Sequence, residues 1–275
     1  MYPRTNLHTH TRFSDGKHTA EEMVGFALDK GFFSLGFSDH GYTFPDDPSA
    51  MQPDTEARYR AEILRLKTLY AHRIEIALGY EHDASRPETD LSVYDYCIES
   101  VHFFQEGGRR LFVDESPEVQ RQAIREFFGG DCYRMCERYY EDLCRAIEHT
   151  SAEIVGHLDL ITKFNSDGRL FDESHPRYRR AALQALELAA EKDKIVEINT
   201  GAIARGYRND PYPAVFLLEA LRSRGGRIAL HSDCHDGAKL DQSFGSAAGL
   251  ARHCGFTEVW GWKDGALRAL PLCPP

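Results

Sequence analysis

The chain has 275 residues, 42% of them hydrophobic and 28% charged, with 33 Lys and Arg against 43 Asp and Glu for a formal charge of −10. That balance argues against broad binding to a phosphate backbone, and no run approaches the ~18 apolar residues needed to cross a bilayer. The first ten residues, MYPRTNLHTH, lack the apolar stretch of a secretory signal. The seven cysteines, Cys97, Cys132, Cys136, Cys144, Cys234, Cys254 and Cys273, show no paired CxxC spacing and read as reduced thiols of a cytoplasmic protein. Thirteen histidines are the unusual feature.

Short β-like runs alternate with amphipathic helical stretches along the whole chain. The first run, 4–7, leads into His8-Thr9-His10, and Thr19 with Glu22 forms a capping box for a helix that Gly31 ends. The run 34–37 ends at Asp39-His40; a polar helix is predicted over 54–72, followed by a run at 74–79 that leads to Glu81. The run 97–101 ends at His102, and two consecutive helices follow. The first starts at Ser116 with Pro117 in the favoured first-turn position, and the second covers 133–149.

The run 153–156 ends at His157, a helix is predicted over 176–192, and the sixth run is 195–199. A helix over 213–224 precedes 227–230, which ends at His231-Ser232-Asp233-Cys234-His235. A helix over 246–253 and a plainer eighth run at 257–260 complete the alternation. Strand–helix alternation on this scale predicts a parallel α/β fold. A barrel suits it better than an open sheet, because polar groups stand at nearly every strand end and an open sheet gathers them at one switch point. No linker or repeat divides the chain, so one domain over 1–275 is expected.

Residues i and i+2 of an extended chain point the same way, so His8 and His10 can face one point as a two-nitrogen ligand set. Taken alone, such a pair is as consistent with two surface histidines. Asp15 lies in a Ser-Asp-Gly turn, where Asp is usually structural. His40, Glu81, His102, His157, Asp233 and His235 follow other strands. A lone histidine in such a place is commonly a hydrogen-bonded core residue, but six strand ends aimed at one barrel mouth argue for a metal site.

The series HTH with a following Asp, DH, G-x-E, SVH, GH-x-D and SD-x-H resembles the PHP (polymerase and histidinol phosphatase) family, in order and over almost the whole chain. Within it, ESVHFF, LFVDESPE, GHLDLITKF and EINTGAIARGYRNDPYP resemble the monofunctional histidinol-phosphatase kind. The resemblance implies a distorted (β/α)7 TIM-like barrel, an α/β fold with its metal site at the C-terminal ends of the strands. It also implies two or three divalent transition-metal ions: zinc, iron or manganese. His8, His10, Glu81 and Asp233 would hold the first, Glu81 with His102 and His157 the second, and Asp15, His40 and His235 the third.

Nine ligands with only three carboxylates leave a strongly positive site when ions bind, and three divalent ions would bring the formal charge to about −4. Such a site suits a phosphomonoester. The resemblance implies hydrolysis of L-histidinol phosphate, in histidine biosynthesis, by a metal-bridging hydroxide held by Glu81 and Asp233. Arg205 and Lys163 are the expected phosphate contacts, with Arg169 and Arg208 behind them; relatives tend to carry Arg near the Lys163 position. His231, Glu197 and Asp159 are expected to orient ligands, whereas His82 should face away from Glu81. The segment 41–53 is a candidate lid. Rival readings are a phosphoesterase acting on nucleotides or other small phosphomonoesters, a non-catalytic metal-binding barrel, and a metal-dependent deaminase or amide hydrolase. The expected partner is a small molecule, with neither nucleic acid nor membrane.

Overall fold

A computed structural model describes residues 2–86 and 89–272. In chain order the first half contains β1 (Thr5–Asn6), α1 (Ala20–Asp29), β2 (Ser34–Phe37), α2 (Pro53–Leu69), β3 (Glu75–Asp83) and β4 (Tyr96–Ser100). A hairpin of β5 (Phe103–Glu106) and β6 (Arg109–Phe112) follows, then α3 (Pro117–Phe127) and α4 (Cys132–His149). The second half contains β7 (Ile154–Val155), α5 (Pro176–Glu191), β8 (Ile195–Asn199), α6 (Gly201–Ala204), α7 (Val215–Ser223) and β9 (Arg227–His231). It finishes with α8 (Phe244–His253), β10 (Glu258–Lys263) and β11 (Ala266–Pro271).

Strands β1, β2, β3, β4, β7, β8 and β9 pair in that order, all parallel. The sheet curls until the chain just past β1 meets the chain just past β9. There Thr9 pairs in parallel with Cys234; His10 N donates to Cys234 O at 2.9 Å and Cys234 N donates to His8 O at 3.1 Å. At the opposite end β10 adds to β9 in parallel, and Trp262 N donates to Thr5 Oγ1 at 3.4 Å. This is the distorted barrel expected from the sequence.

Strand alternation divides the barrel interior into an apolar floor and a polar top. The floor is a buried cluster of its own: Leu7, Ala77, Tyr96, Ile98, Ile154, Ile195, Ala229 and Trp262. The Tyr96 hydroxyl donates to the carbonyls of Leu7 and Phe37. Further along the same inward faces stand Glu81 and Asp83 of β3, Ser100 of β4, Glu197 and Asn199 of β8 and His231 of β9. The opposite faces pack on the helices in the larger core, with Leu35, Phe37, Leu78, Val155, Val196, Ile198, Ile228 and Leu230 all buried. Burying each such side chain contributes up to about 1.5–3 kcal/mol.

The helix signals in the sequence are observed as read. Thr19 and Glu22 form the capping box of α1, and Gly31 beyond it has φ 70°. Ser116 accepts from Val119 N at the start of α3, behind Pro117. Two hairpins were not expected. The chain after His102 forms β5 and β6, and β11 turns back on β10 through Asp264-Gly265, both with positive φ. Among the described residues Cys97, Cys132, Cys136, Cys144, Cys234 and Cys254 are free thiols, and Cys273 lies outside those residues. No helix among them is long and apolar enough to cross a membrane.

Candidate metal centre

The polar top brings all nine predicted ligands together around Glu81, which is 1% exposed. Glu81 Oε2 lies 3.3 Å from His8 Nε2, 3.6 Å from His10 Nε2 and 2.7 Å from His40 Nδ1. Its Oε1 lies 3.1 Å from His157 Nε2 and 3.4 Å from His102 Nε2. Asp233 Oδ1 stands 3.3 Å from His10 Nε2 and 3.8 Å from His8 Nε2. Asp15 Oδ1 is 3.1 Å from His235 Nε2 and 3.8 Å from His40 Nε2.

Ligand-type atoms in three of the groupings fall within 4.8 Å of one another: His8, His10 and Asp233; His40, Glu81 and His102; and His10, Asp15, His40 and His235. His8, Glu81 and His157 make a fourth. Glu81 therefore sits where it can serve more than one ion, while Asp15 and His235 lie together at the other end of the cluster.

The side chains fit a cation better than they fit one another. His8 Nε2 and both ring nitrogens of His10 are buried and make no hydrogen bond. Burial together with repulsion from His235 and His40 pushes His10 down to about 3, so its imidazole is neutral and free to ligate. Burial favours neutral Glu81, but His8, His40 and His102 outweigh it and hold the carboxyl well below the usual range. For Asp233, Arg205 and His8 outweigh burial in the same way. Imidazole nitrogens facing ionised carboxylates, all N and O donors, form a set that suits zinc, iron or manganese once an ion displaces the ring protons.

Each ligand is held by its strand end. Asp39 accepts from Thr11 N at 2.8 Å and from Ser14 Oγ at 2.7 Å, which folds the chain after His10 so that Asp15 returns to the centre. Ser100 Oγ donates to Glu81 Oε1 at 2.7 Å. Asp83 Oδ2 lies 3.2 Å from His102 Nδ1. Asp233 has φ 48°, an uncommon conformation for a non-glycine residue that aims its carboxylate back across the barrel. Beneath the ligands, Glu197 lies 2.6 Å from His8 Nδ1 and 2.9 Å from His231 Nδ1.

A cavity of about 250 Å³ opens on the centre, lined by His40, Glu81, His102, His157, Asp233 and His235 and by Lys163 and Arg205. Arg205 Nη2 donates to Asp233 Oδ2 at 2.8 Å, and Lys163 Nζ donates to Asp114 O at 2.9 Å. The other two cations do not line this cavity. Arg169 is largely exposed, with its guanidinium 3.4 Å from Asp167. Arg208 Nη1 donates to Thr162 O at 2.8 Å, and its guanidinium lies over the Tyr212 ring.

Asp159 also differs from expectation. It touches no ligand; its Oδ2 accepts from Ala214 N at 2.9 Å, and burial pushes its carboxyl up to about 6. His82 faces the outside of the barrel as expected, 2.8 Å from Glu99 Oε2. Part of the 41–53 segment does border the cavity, through Gly41, Thr43, Asp47, Ser49 and Ala50. Phe44 there packs against Phe103 and Phe112 of the hairpin. Sequence reasoning missed Asp83, Ser100 and Asn199, although each follows from i, i+2 alternation with Glu81, Ile98 and Glu197.

Comparison with known proteins places this geometry. The PHP domain family model matches residues 6–201. A Deinococcus radiodurans protein named "Probable histidinol-phosphatase" is 31% identical, over 86% of this chain and 88% of the relative. A Schizosaccharomyces pombe protein of the same name is 25% identical, over 87% of this chain and 82% of the relative. Among solved structures, the Lactococcus lactis histidinol phosphate phosphatase, in complex with zinc, L-histidinol and phosphate, superposes with a TM-score of 0.72. It shares 22% identity and covers 96% of this chain and 98% of its own, a likeness of fold. The chain belongs to the PHP domain family.

Proposed function

We propose that this chain is a metal-dependent phosphomonoesterase that hydrolyses L-histidinol phosphate to L-histidinol and inorganic phosphate. The observation that carries this reading is the cluster of nine ligand-type side chains, seven of them lining one small cavity that also presents Arg205 and Lys163. The substrate follows from the names of the Deinococcus and fission-yeast relatives and of the Lactococcus structure.

His8, His10, Glu81 and Asp233 would hold one ion, His102 and His157 with Glu81 a second, and Asp15, His40 and His235 a third. When bound, divalent ions supply positive charge to the phosphoryl oxygens and acidify water at neutral pH. Arg205 can turn one face of its guanidinium to the phosphate while Nη2 stays on Asp233, and Lys163 offers a point charge from the lining of the same cavity. Glu81 and Asp233 stay ionised and accept hydrogen bonds, from Ser100 Oγ and Arg205 Nη2 respectively, without taking up a proton. His8, His10 and Glu81 are buried, which strengthens the charge interactions they make. The catalytic unit extends beyond residue 201 at least to residue 235, since Arg205, Asp233 and His235 belong to it, within the single domain proposed over 1–275.

The test is phosphate release from L-histidinol phosphate beside a panel of nucleotides and sugar phosphates. A preference of about a hundredfold in kcat/KM, ~2.7 kcal/mol of transition-state discrimination, supports the reading. Equal activity on the panel would retain a phosphatase and reject the named substrate.

A further inference from the structure

Glu197 stands fully buried on β8, one layer below the ligands. Each of its oxygens receives two donors. Oε1 lies 2.6 Å from His8 Nδ1 and 2.9 Å from His231 Nδ1. Oε2 accepts from His157 N at 2.7 Å and from Asn199 Nδ2 at 2.9 Å. The partners come from β8 itself, from β9, and from the segments that follow β1 and β7. Among the described residues the four donors meet no other acceptor there, and a carboxylate supplies the lone pairs that all four need.

The bond to His8 has a chemical consequence. A carboxylate can only accept, so the proton of the neutral His8 ring belongs on Nδ1, and Nε2 keeps its lone pair. Nε2 is the atom aimed into the centre: it is buried, makes no hydrogen bond, and lies 3.3 Å from Glu81 Oε2. The bond to His157 acts on the backbone instead, seating that residue so that its Nε2 lies 3.1 Å from Glu81 Oε1. One buried side chain thus governs a ring nitrogen on one side of Glu81 and a backbone position on the other.

We propose that Glu197 is a positioning residue that fixes the tautomer of His8 and the seat of His157 together, coupling the loading of the two ions that share Glu81. The ion at Asp15, His40 and His235, which Glu197 does not touch, loads independently. The inference rests on the ligand assignment given under Proposed function.

Glu197→Gln tests it, because the two side chains match in size and differ in what they can accept. Whichever way the amide turns, its NH₂ meets two donors. Turned toward His8, it drives the ring proton to Nε2 and blocks ligation; turned toward His157, it displaces that backbone. The expected result, from zinc titration against a chromophoric chelator, is two ions weakened by about 10–100-fold and the third within about 3-fold of wild type. Equal affinity for all ions in Glu197→Gln would overturn the coupling.

Wild-type protein that binds no zinc would overturn the ligand assignment itself, and the two failures are thereby distinguished. Should the variant not fold, the zinc-loaded wild type still decides the tautomer by long-range proton–nitrogen NMR. A His8 proton on Nδ1, shifted strongly downfield by the carboxylate, is expected. A proton on Nε2 would overturn the proposal.

Discussion

Ser100 Oγ donates a 2.7 Å hydrogen bond to Glu81 Oε1, the same oxygen that faces His157 and His102. The pairing of β3 with β4 puts Ser100 opposite Asp83, two residues along the same inward face from Glu81. Ser100→Ala removes that hold and leaves every ligand in place. The expected effect is a loss of about 3–10-fold in kcat/KM, the range of one hydrogen bond, with the ion count unchanged. Glu81→Gln should cost at least about 100-fold and release ions as well, since it removes the charge the centre is built around. Elemental analysis beside steady-state kinetics separates the two variants.

The cations of the second half should divide sharply. Arg205 lines the cavity and is held on Asp233, whereas Arg169 is exposed beside Asp167. Arg205→Ala is expected to lower kcat/KM by about 10–100-fold and to weaken inhibition by inorganic phosphate. Arg169→Ala should stay within about 2-fold of wild type. A larger loss in Arg169→Ala than in Arg205→Ala would reverse this assignment of the phosphate contact.

Removing the ions should destabilise the fold, because it leaves buried imidazole nitrogens with no partner. A ligand present at about 100 times its Kd stabilises the state it binds by ~2.7 kcal/mol, or about 5–10 °C in Tm for a chain of this size. Scanning calorimetry with chelator, and then with zinc restored, is expected to show that drop and its recovery. An identical Tm in both states would contradict the fit of these residues to cations.

Ion affinity should fall as pH is lowered. In the metal-free protein burial pulls His8 toward its neutral form, but Glu197, Glu81 and Asp233 outweigh burial and raise its pKa well above the ordinary value. A raised pKa means the ring keeps its proton at a pH where a free histidine has lost it, so an arriving ion must displace that proton. Affinity therefore rises with pH until the raised pKa is passed, and it is lost below. His10, pushed down to about 3, contributes nothing to this dependence. Calorimetric titration in buffers of different ionisation enthalpy should show proton release on binding, and its absence across about pH 6 to 8 would count against the assignment.

The floor of the barrel offers a test of the fold alone. A Cβ on Gly79 would come within 2.2 Å of the Tyr96 ring, and one on Gly36 within 2.3 Å of its hydroxyl. Tyr96 cannot retreat, since its hydroxyl is held by carbonyls of two other segments. Gly79→Ala should therefore cost about 1–3 kcal/mol of stability, the usual penalty of overpacking. Chemical denaturation would measure it, and an unchanged midpoint would mean that the floor is looser than its contacts indicate.

The centre was largely legible in the sequence because its ligands stand at strand ends, where period-two alternation and the apolar run before each one fix the direction they face. His8 and His10 are two residues apart, as are Asp233 and His235, and the barrel brings the pairs together through Thr9 and Cys234. What escaped was whatever depends on contacts distant in sequence. Asp159 carries the same strand-end signature as a ligand, yet its carboxylate turns away to Ala214 N. Arg169 and Arg205 are both loop cations, and only the fold separates one in solvent from one on Asp233. The two hairpins were hidden because β5 and β6 read as a continuation of the insert after His102, and β11 has the exposed, weakly patterned side chains of an edge strand.

The most direct test of the account is phosphate release from L-histidinol phosphate by protein of measured zinc content, run beside chelated protein and the Glu81→Gln variant. The account predicts turnover on the order of 1 s⁻¹ or faster in the zinc-loaded wild type, loss on chelation with recovery on adding zinc, and little activity in the variant. Zinc-loaded wild-type protein that releases no phosphate would contradict it.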